Sequence, residues 1–398
     1  MRKLMLTLAA AMALAVGAAS AEEKVTFWYH FDNPENPIKT LVAKFEAENP
    51  GIKVEALNVP WNTYFEQMDT AIIGGKAPDA AMVKLWKLPQ LLEMEALVPL
   101  DDYIAKWSAK DDVLPNLWDI NKAPDGKHYY LPIQYVVLYL YYRTDLFKAA
   151  GLEPPKTPEE FRAAAKALTK DGVYGYGMRG AKGGHDYFLP FVMAMGAKFE
   201  KGGFTSPEAI KAAEWFVDLH RVDHVFPPSA PNDGFNEVLG ALKAGKTAMT
   251  IHHIGSAQSV AQALGDKISA VPVPTLNGKG WTSFGDESTA IFSQSKVKDA
   301  AWKWISFLST AENNNEFNKA TGQMPVTKSG TAKWTLHEKR FIDATVESLP
   351  IAGTLPLVPE TGEFTSSVWP TNMQRALLGE ITPKEMMENF EKLYYGKK

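Results

Sequence analysis

The 398-residue chain contains no cysteine. That excludes a disulfide scaffold and a lipid-modified cysteine anchor. It also lacks a second long apolar run: beyond residue 18 every hydrophobic stretch is soon broken by charge, Gly or Pro, short of the ~20 residues that span a bilayer. Excess basic charge is missing too. The formal net charge is -4, which argues against nucleic acid or another polyanion as partner. No internal repeat or low-complexity segment interrupts a composition that is 45% hydrophobic and 22% charged, ample for two cores. G-x-S-x-G, H-E-x-x-H and Walker segments are all absent. The acidic pairs Asp101-Asp102, Asp111-Asp112 and Glu159-Glu160 fall where helices and turns begin, so a glycoside-active enzyme is only a remote alternative.

What is present begins with an export signal over residues 1–21. Arg2 and Lys3 make a positive start, Leu4 to Ala18 an apolar run of 15 residues, and Ala19-Ser20-Ala21 a small-x-small cleavage site. A mature protein that is exported and carries no anchor fits a periplasm. Immediately after the leader, Lys24 to Tyr29 is rich in β-branched and aromatic residues and predicts a strand. Ile38, Leu41, Val42 and Phe45 then recur at helical spacing, and Asn49-Pro50-Gly51 ends that helix. Ile52 to Val59 predicts a second strand, Phe65 to Ile73 a helix closed by Gly74 and Gly75, and Ala80 to Val83 a third strand. Alternation of this kind predicts a mostly parallel sheet covered by helices, with ligand beyond the carboxyl ends of the strands.

Gln134 to Tyr142 (QYVVLYLYY) is a strand long enough to leave one lobe and enter another. Thr157-Pro158-Glu159-Glu160 predicts a capped helix start, as does Thr382-Pro383-Lys384-Glu385 near the end of the chain. Thr247 to Ile251 predicts a strand with a polar tip at His252 and His253. Alternation sends adjacent strand residues to opposite faces, so these two histidines are not expected to chelate one metal. Chain crossings near 131–135, 274–285 and 325 divide the mature chain into one lobe of residues 22–132 and 285–325 and a second of 133–284 and 326–398.

Several stretches, in order, carry a family resemblance: FWYHF, KFEAENPGIKVE, GGKAPDAAMV, LVPLDDYI, DGKHYYLPIQYVVLYLYYRTDLFKAAGLEPPKTPEEF, ALKAGKTAMTIHH and AAWKWISFLST. The chain resembles the extracellular solute-binding proteins of ABC importers, the family that includes maltose-binding protein. The resemblance covers essentially the whole mature chain. It implies an α/β clamshell of two lobes with several hinge crossings, acting as a monomer that closes on a small hydrophilic ligand. It also implies transmembrane permease subunits of an ATP-driven importer as partners, with no cofactor, no metal and no catalysis. Mono- and short oligosaccharides are the implied cargo. The same fold holding a uronic acid, a sulfonated sugar or a glycerol phosphate ester is the alternative.

A sugar presents hydroxyls at its rim and C–H patches on its faces, so a site needs polar side chains beside aromatic plates. At the first strand tip His30 and Asp32 are candidates, where matching family members place polar contacts. Trp61, Trp86, Trp281 and Trp369 are candidate plates, and Lys84 and Lys87 flank Trp86. Asp79 matches the family's Ala-Pro-Asp signature. The crossings contribute Gln134, Tyr135 and Gly285, the GGHDY loop contributes Gly184 and His185, and His252 and His253 complete the opposite side. Ile254-Gly255-Ser256 stands where maltose-binding protein has an aromatic platform, which speaks against a long maltodextrin. Arg375, with its planar guanidinium, is the candidate clamp for an anionic ligand.

Overall fold

The computed structural model describes residues 22–30 and 37–396. The leader expected over 1–21 and the candidate contact Asp32 lie outside the described residues. The strands are β1 (Glu23–Tyr29), β2 (Ile52–Asn58), β3 (Ala80–Lys84), β4 (Leu131–Arg143), β5 (Tyr174–Gly177), β6 (Thr247–His253), β7 (Ile268–Val271), β8 (Thr282–Ile291) and β9 (Ala352–Gly353). They pair in the order β2-β1-β3-β8-β4-β6-β5, with β7 on β4 and β9 on β8. β1, β2 and β3 run parallel, as do β5 and β6, and these are the ladders that β-α-β connections build. The long strands β4 and β8 are antiparallel to their neighbours β3, β6 and β7 and to each other, so the sheet as a whole is mixed.

Local sequence explains the elements. In β1 the alternation buries Val25, Phe27 and Tyr29. The following helix, Ile38–Glu48, buries Ile38, Leu41 and Phe45 along one stripe. Helix Pro158–Leu168 begins as its sequence predicts, with Thr157 Oγ accepting from the Glu160 amide at 3.2 Å. Glu160 reaches one residue further back than a standard capping box and accepts from the Lys156 amide at 2.7 Å. At Thr382 both halves of the box form, opening helix Pro383–Tyr395.

Two main hydrophobic cores result. The first joins residues of the N-terminal strands and helices to Ala290, Ile291, Phe292, Trp304, Leu308 and Phe317. The second is built from residues after 137, including Phe161, Tyr176, Phe188, Phe216, Met249, Phe364 and Phe390. β4 serves both: Leu131 to Val137 pairs with β8, and Leu138 to Arg143 pairs with β6 and β7. Where it changes partners, the backbones of Tyr135 and Met324 exchange hydrogen bonds, 3.2 Å each way. Three chain segments therefore pass side by side between the cores, backed by a third cluster that includes Tyr135, Phe284 and Met324.

Candidate functional site

The first wall of the candidate site is set by strand register. β8 lies between β3 and β4, and the pairing puts Glu287 opposite Lys84 on one side and Gln134 on the other. Glu287 is only 6% exposed. Its Oε1 receives the Lys84 ammonium, its Oε2 receives the Gln134 amide, and His30 Nε2 lies 3.4 Å from Oε1. Burial alone pushes this carboxyl up, but the neighbouring cationic groups, Lys84 foremost with its charge and its hydrogen bond, outweigh it and hold the group below its ordinary value. The result is a buried carboxylate already surrounded by donors.

Aromatic surface adjoins it. Trp61, in a short 3₁₀ turn after β2, remains 39% exposed. Its ring centroid is 4.7 Å from that of His30, and the Lys84 ammonium lies 5.5 Å from it. Phe65 backs Trp61 edge-on at 5.4 Å and links it to Trp86 at 4.8 Å. Beneath them the fully buried Tyr64 hydroxyl lies 2.9 Å from the Met82 carbonyl and 3.0 Å from that of Trp28, tying the helix to β1 and β3. Lys87 donates to Asp69 Oδ2 at 2.6 Å and Gln90 Oε1 at 2.8 Å, and its burial lowers its pKa.

The second wall starts where β5 ends. Arg179 follows the strand, and the Gly183-Gly184 turn folds back over it. A Cβ on Gly183 would come within 2.6 Å of the guanidinium, and one on Gly184 within 1.8 Å of the Arg179 carbonyl. Gly183 has φ +83°, which calls for glycine there, and the backbone approach calls for it at Gly184. His185 opens the next helix, its Nε2 3.4 Å from Asp186 Oδ1, and burial lowers its pKa.

His252 and His253 are the last residues of β6, and they depart from the expected alternation: their ring centroids are 4.7 Å apart, both against Phe235. The strand ends there in a 3₁₀ turn, whose Gly255 amide donates to His253 Nδ1 at 3.1 Å and draws that ring round. His252 Nδ1 meets Ser256 Oγ at 3.0 Å. Burial depresses both imidazoles, His253 to about 4 and His252 well below its ordinary value, so both are neutral near pH 7.

The walls face one another. Lys84 and Glu287 from the first and Arg179 from the second all act electrostatically on His253, and Lys182 acts on Lys87. Residues Glu360–Glu363 of the second lobe lie against Leu85–Lys87 of the first.

Other candidates take different places. Asp79 accepts from the Thr26 amide and hydroxyl at 2.8 Å each and from Ser295 Oγ at 2.6 Å, so its oxygens are spent fixing its own loop. Tyr135 is buried in the cluster between the lobes, stacked on Phe284 at 5.9 Å, with its pKa pushed up to about 12 by burial. Gly285 leaves room for Val136, whose side chain a Cβ would meet at 2.9 Å. Trp281 packs on Gly353 and Phe199. Trp369 is fully buried behind Gly184 and His185, so neither ring face is open as a plate. Arg375 is half-exposed on its helix, 3.5 Å from Glu380, and is not an anion clamp in the cleft. Sequence reasoning missed Glu287, Arg179 and Phe235. Among the described residues, no group of three or more His, Asp or Glu is arranged to hold a metal, and no helix is long and apolar enough to cross a membrane.

Residues 32–315 match the model of the bacterial extracellular solute-binding protein family. The chain belongs to that family. Among extracellular solute-binding proteins it is 28% identical to the mannitol-binding protein of Pseudomonas aeruginosa, over 74% of this chain and 70% of the relative. It is 24% identical to the maltodextrin-binding protein of Bacillus subtilis, over 82% of this chain and 79% of that one. Its fold matches an ABC transporter solute-binding protein from Thermotoga lettingae bound with α-D-tagatose, with a TM-score of 0.82, 27% identity, and coverage of 94% of this chain and all of the other.

Proposed function

We propose that this solute-binding protein works in a periplasm, captures a small carbohydrate between its two lobes and hands it unaltered to the permease subunits of an ATP-driven importer. The lobes divide at 132/133, 284/285 and 325/326, and the three crossings act as the hinge. The observation that carries the reading is the first wall: a buried carboxylate, Glu287, ringed by Lys84, Gln134 and His30 beside the exposed face of Trp61. Paired acceptor and donor groups next to an aromatic plate suit a hydroxylated ring, which needs both at once. His30, Trp61, Trp86, Gln134, Gly184, His185, His252 and His253 retain their assignment as ligand-side residues, joined by Lys84 and Glu287. The relatives that bind mannitol and tagatose support a compact, polyhydroxylated cargo.

Cargo shifts the open–closed balance only by its differential affinity for the two states, so closure and binding are one measurement. A thermal-shift screen of hexoses, pentoses, polyols and their acids should find a ligand that raises the unfolding free energy by about 2.7 kcal/mol at a hundred times its dissociation constant. The same ligand should compact the protein in solution scattering and be recovered chemically intact. Failure of the whole carbohydrate panel to shift the melting temperature, or recovery of cleaved sugar, defeats the reading.

A further inference from the structure

The second wall holds a cation that no described residue neutralises. Arg179 is half-buried, its Nε is shielded from solvent without a hydrogen-bond partner, and it makes no ion pair among the described residues. Of the described acidic groups nearby, Glu287 is paired with Lys84 and Asp69 with Lys87, while Asp186 lies 3.4 Å from His185 and makes no ion pair with Arg179. What holds the guanidinium is apolar or backbone: the Phe235 ring, 5.8 Å from it, and the Gly183-Gly184 turn wrapped over it. The turn around Arg179 calls for glycine at both positions, Gly183 for its positive φ and Gly184 because a Cβ would strike the Arg179 carbonyl. A shielded charge with no counter-ion is costly unless something arrives to pair with it.

The neighbouring groups share this open valence. His252 is 1% exposed, and its Nε2 has no partner. In the tautomer in which Ser256 Oγ donates to Nδ1, the ring proton sits on Nε2 as a spare donor. His185 Nδ1 and Gln134 Oε1 are likewise buried without partners. Arg179 acts electrostatically on His185, His252 and His253, so these four groups lie near one another.

We propose that Arg179 receives an oxyanion group, a carboxylate or sulfonate, carried by the sugar, so that the cargo is a sugar acid rather than a neutral sugar. This rests on carbohydrate capture between the lobes and assigns the two walls separate tasks. The Glu287, Lys84 and His30 side meets the hydroxyl rim, while the guanidinium fork and His252 Nε2 meet the acid. A planar fork pairs two oxygens at once, which a hydroxyl cannot match.

The test titrates the mature protein calorimetrically with D-glucuronate, 6-deoxy-6-sulfo-D-glucose, D-glucose and mannitol. At least one acid should bind about tenfold to a hundredfold more tightly than either neutral compound, the ratio expected for one charge-assisted pair. The Arg179→Gln variant should lose most of that preference, Arg179→Lys should keep part of it, and Arg375→Gln should keep all of it. Circular dichroism checks that each variant is folded. Should Arg179→Gln not fold, the wild-type acid-to-neutral ratio and its decline with added salt decide alone. Neutral sugars binding as well as or better than both acids, or acid preference surviving Arg179→Gln, overturns the oxyanion assignment and leaves carbohydrate capture standing. No binding by any of the four or by the wider sugar panel removes both.

Discussion

The two walls of the cleft are built on opposite plans. On the first, the described charges are paired before any ligand arrives: Glu287 with Lys84, and Lys87 with Asp69. On the second, Arg179, His185 and His252 each keep a buried nitrogen without a partner. The difference follows from how each is made. Sheet register places the first wall's groups directly opposite one another on adjacent strands, so they pair by construction. The second wall comes from a glycine turn, a helix start and a strand end, elements that present groups side by side without pairing them. A prepaired wall gives a rigid template, and an unpaired wall supplies the energy of recognition.

Breaking the prepaired wall should have the largest effect. Glu287→Ala strips Lys84 and Gln134 of their common acceptor, and should cost about 3–5 kcal/mol in urea unfolding, as broken buried pairs do. A loss below about 1 kcal/mol would mean the wall is not held by that carboxylate. Acid should act next, and mainly on the second wall. The unfolded chain protonates its histidines near pH 6.5, whereas folded His253 does so only at about 4. Between those values the unfolded state binds more protons, so stability falls as pH falls from 6.5 to 4. His253 contributes at most roughly 3 kcal/mol of that loss, since it is partly exposed. His252 should show the same sign, because burial depresses its pKa too. Urea titrations at pH 7, 5.5 and 4.5 would reveal it, and a pH-independent midpoint would contradict it. The smallest effect on stability belongs to Trp61→Ala. With 39% of the ring exposed, unfolding should change by under about 1 kcal/mol, while affinity for the bound sugar falls about tenfold. Equal affinity in the variant would remove the plate from the site.

Legibility in the sequence followed the range of the interaction. Thr157 and Thr382 declare their helix starts within four residues, and both helices form there. The unbroken apolar run of QYVVLYLYY announces a strand buried on both faces, and β4 extends it by three residues at its start and one at its end. Glu287 was illegible because its partner Gln134 is 153 residues away, and only the pairing of β8 with β4 brings them together. Arg179 carries no recognisable anion motif, although its position just after a strand and before a glycine pair was an available sign. Arg375 failed for the converse reason: charge type names a ligand class, but nothing in a helical stretch says whether that face meets the cleft or the solvent. Trp369 likewise offered a plate that packing against His185 and Phe188 had already consumed.

The central position of β8 has a consequence for how the molecule is made. The N-terminal half of the first core needs Ala290, Ile291 and Trp304 to close, yet those residues follow the bulk of the second core in the chain. On a ribosome the early strands must wait, incompletely buried, until well over 300 residues have emerged. Such distant pairing folds slowly, so the early strands stay unlocked through most of the chain's synthesis.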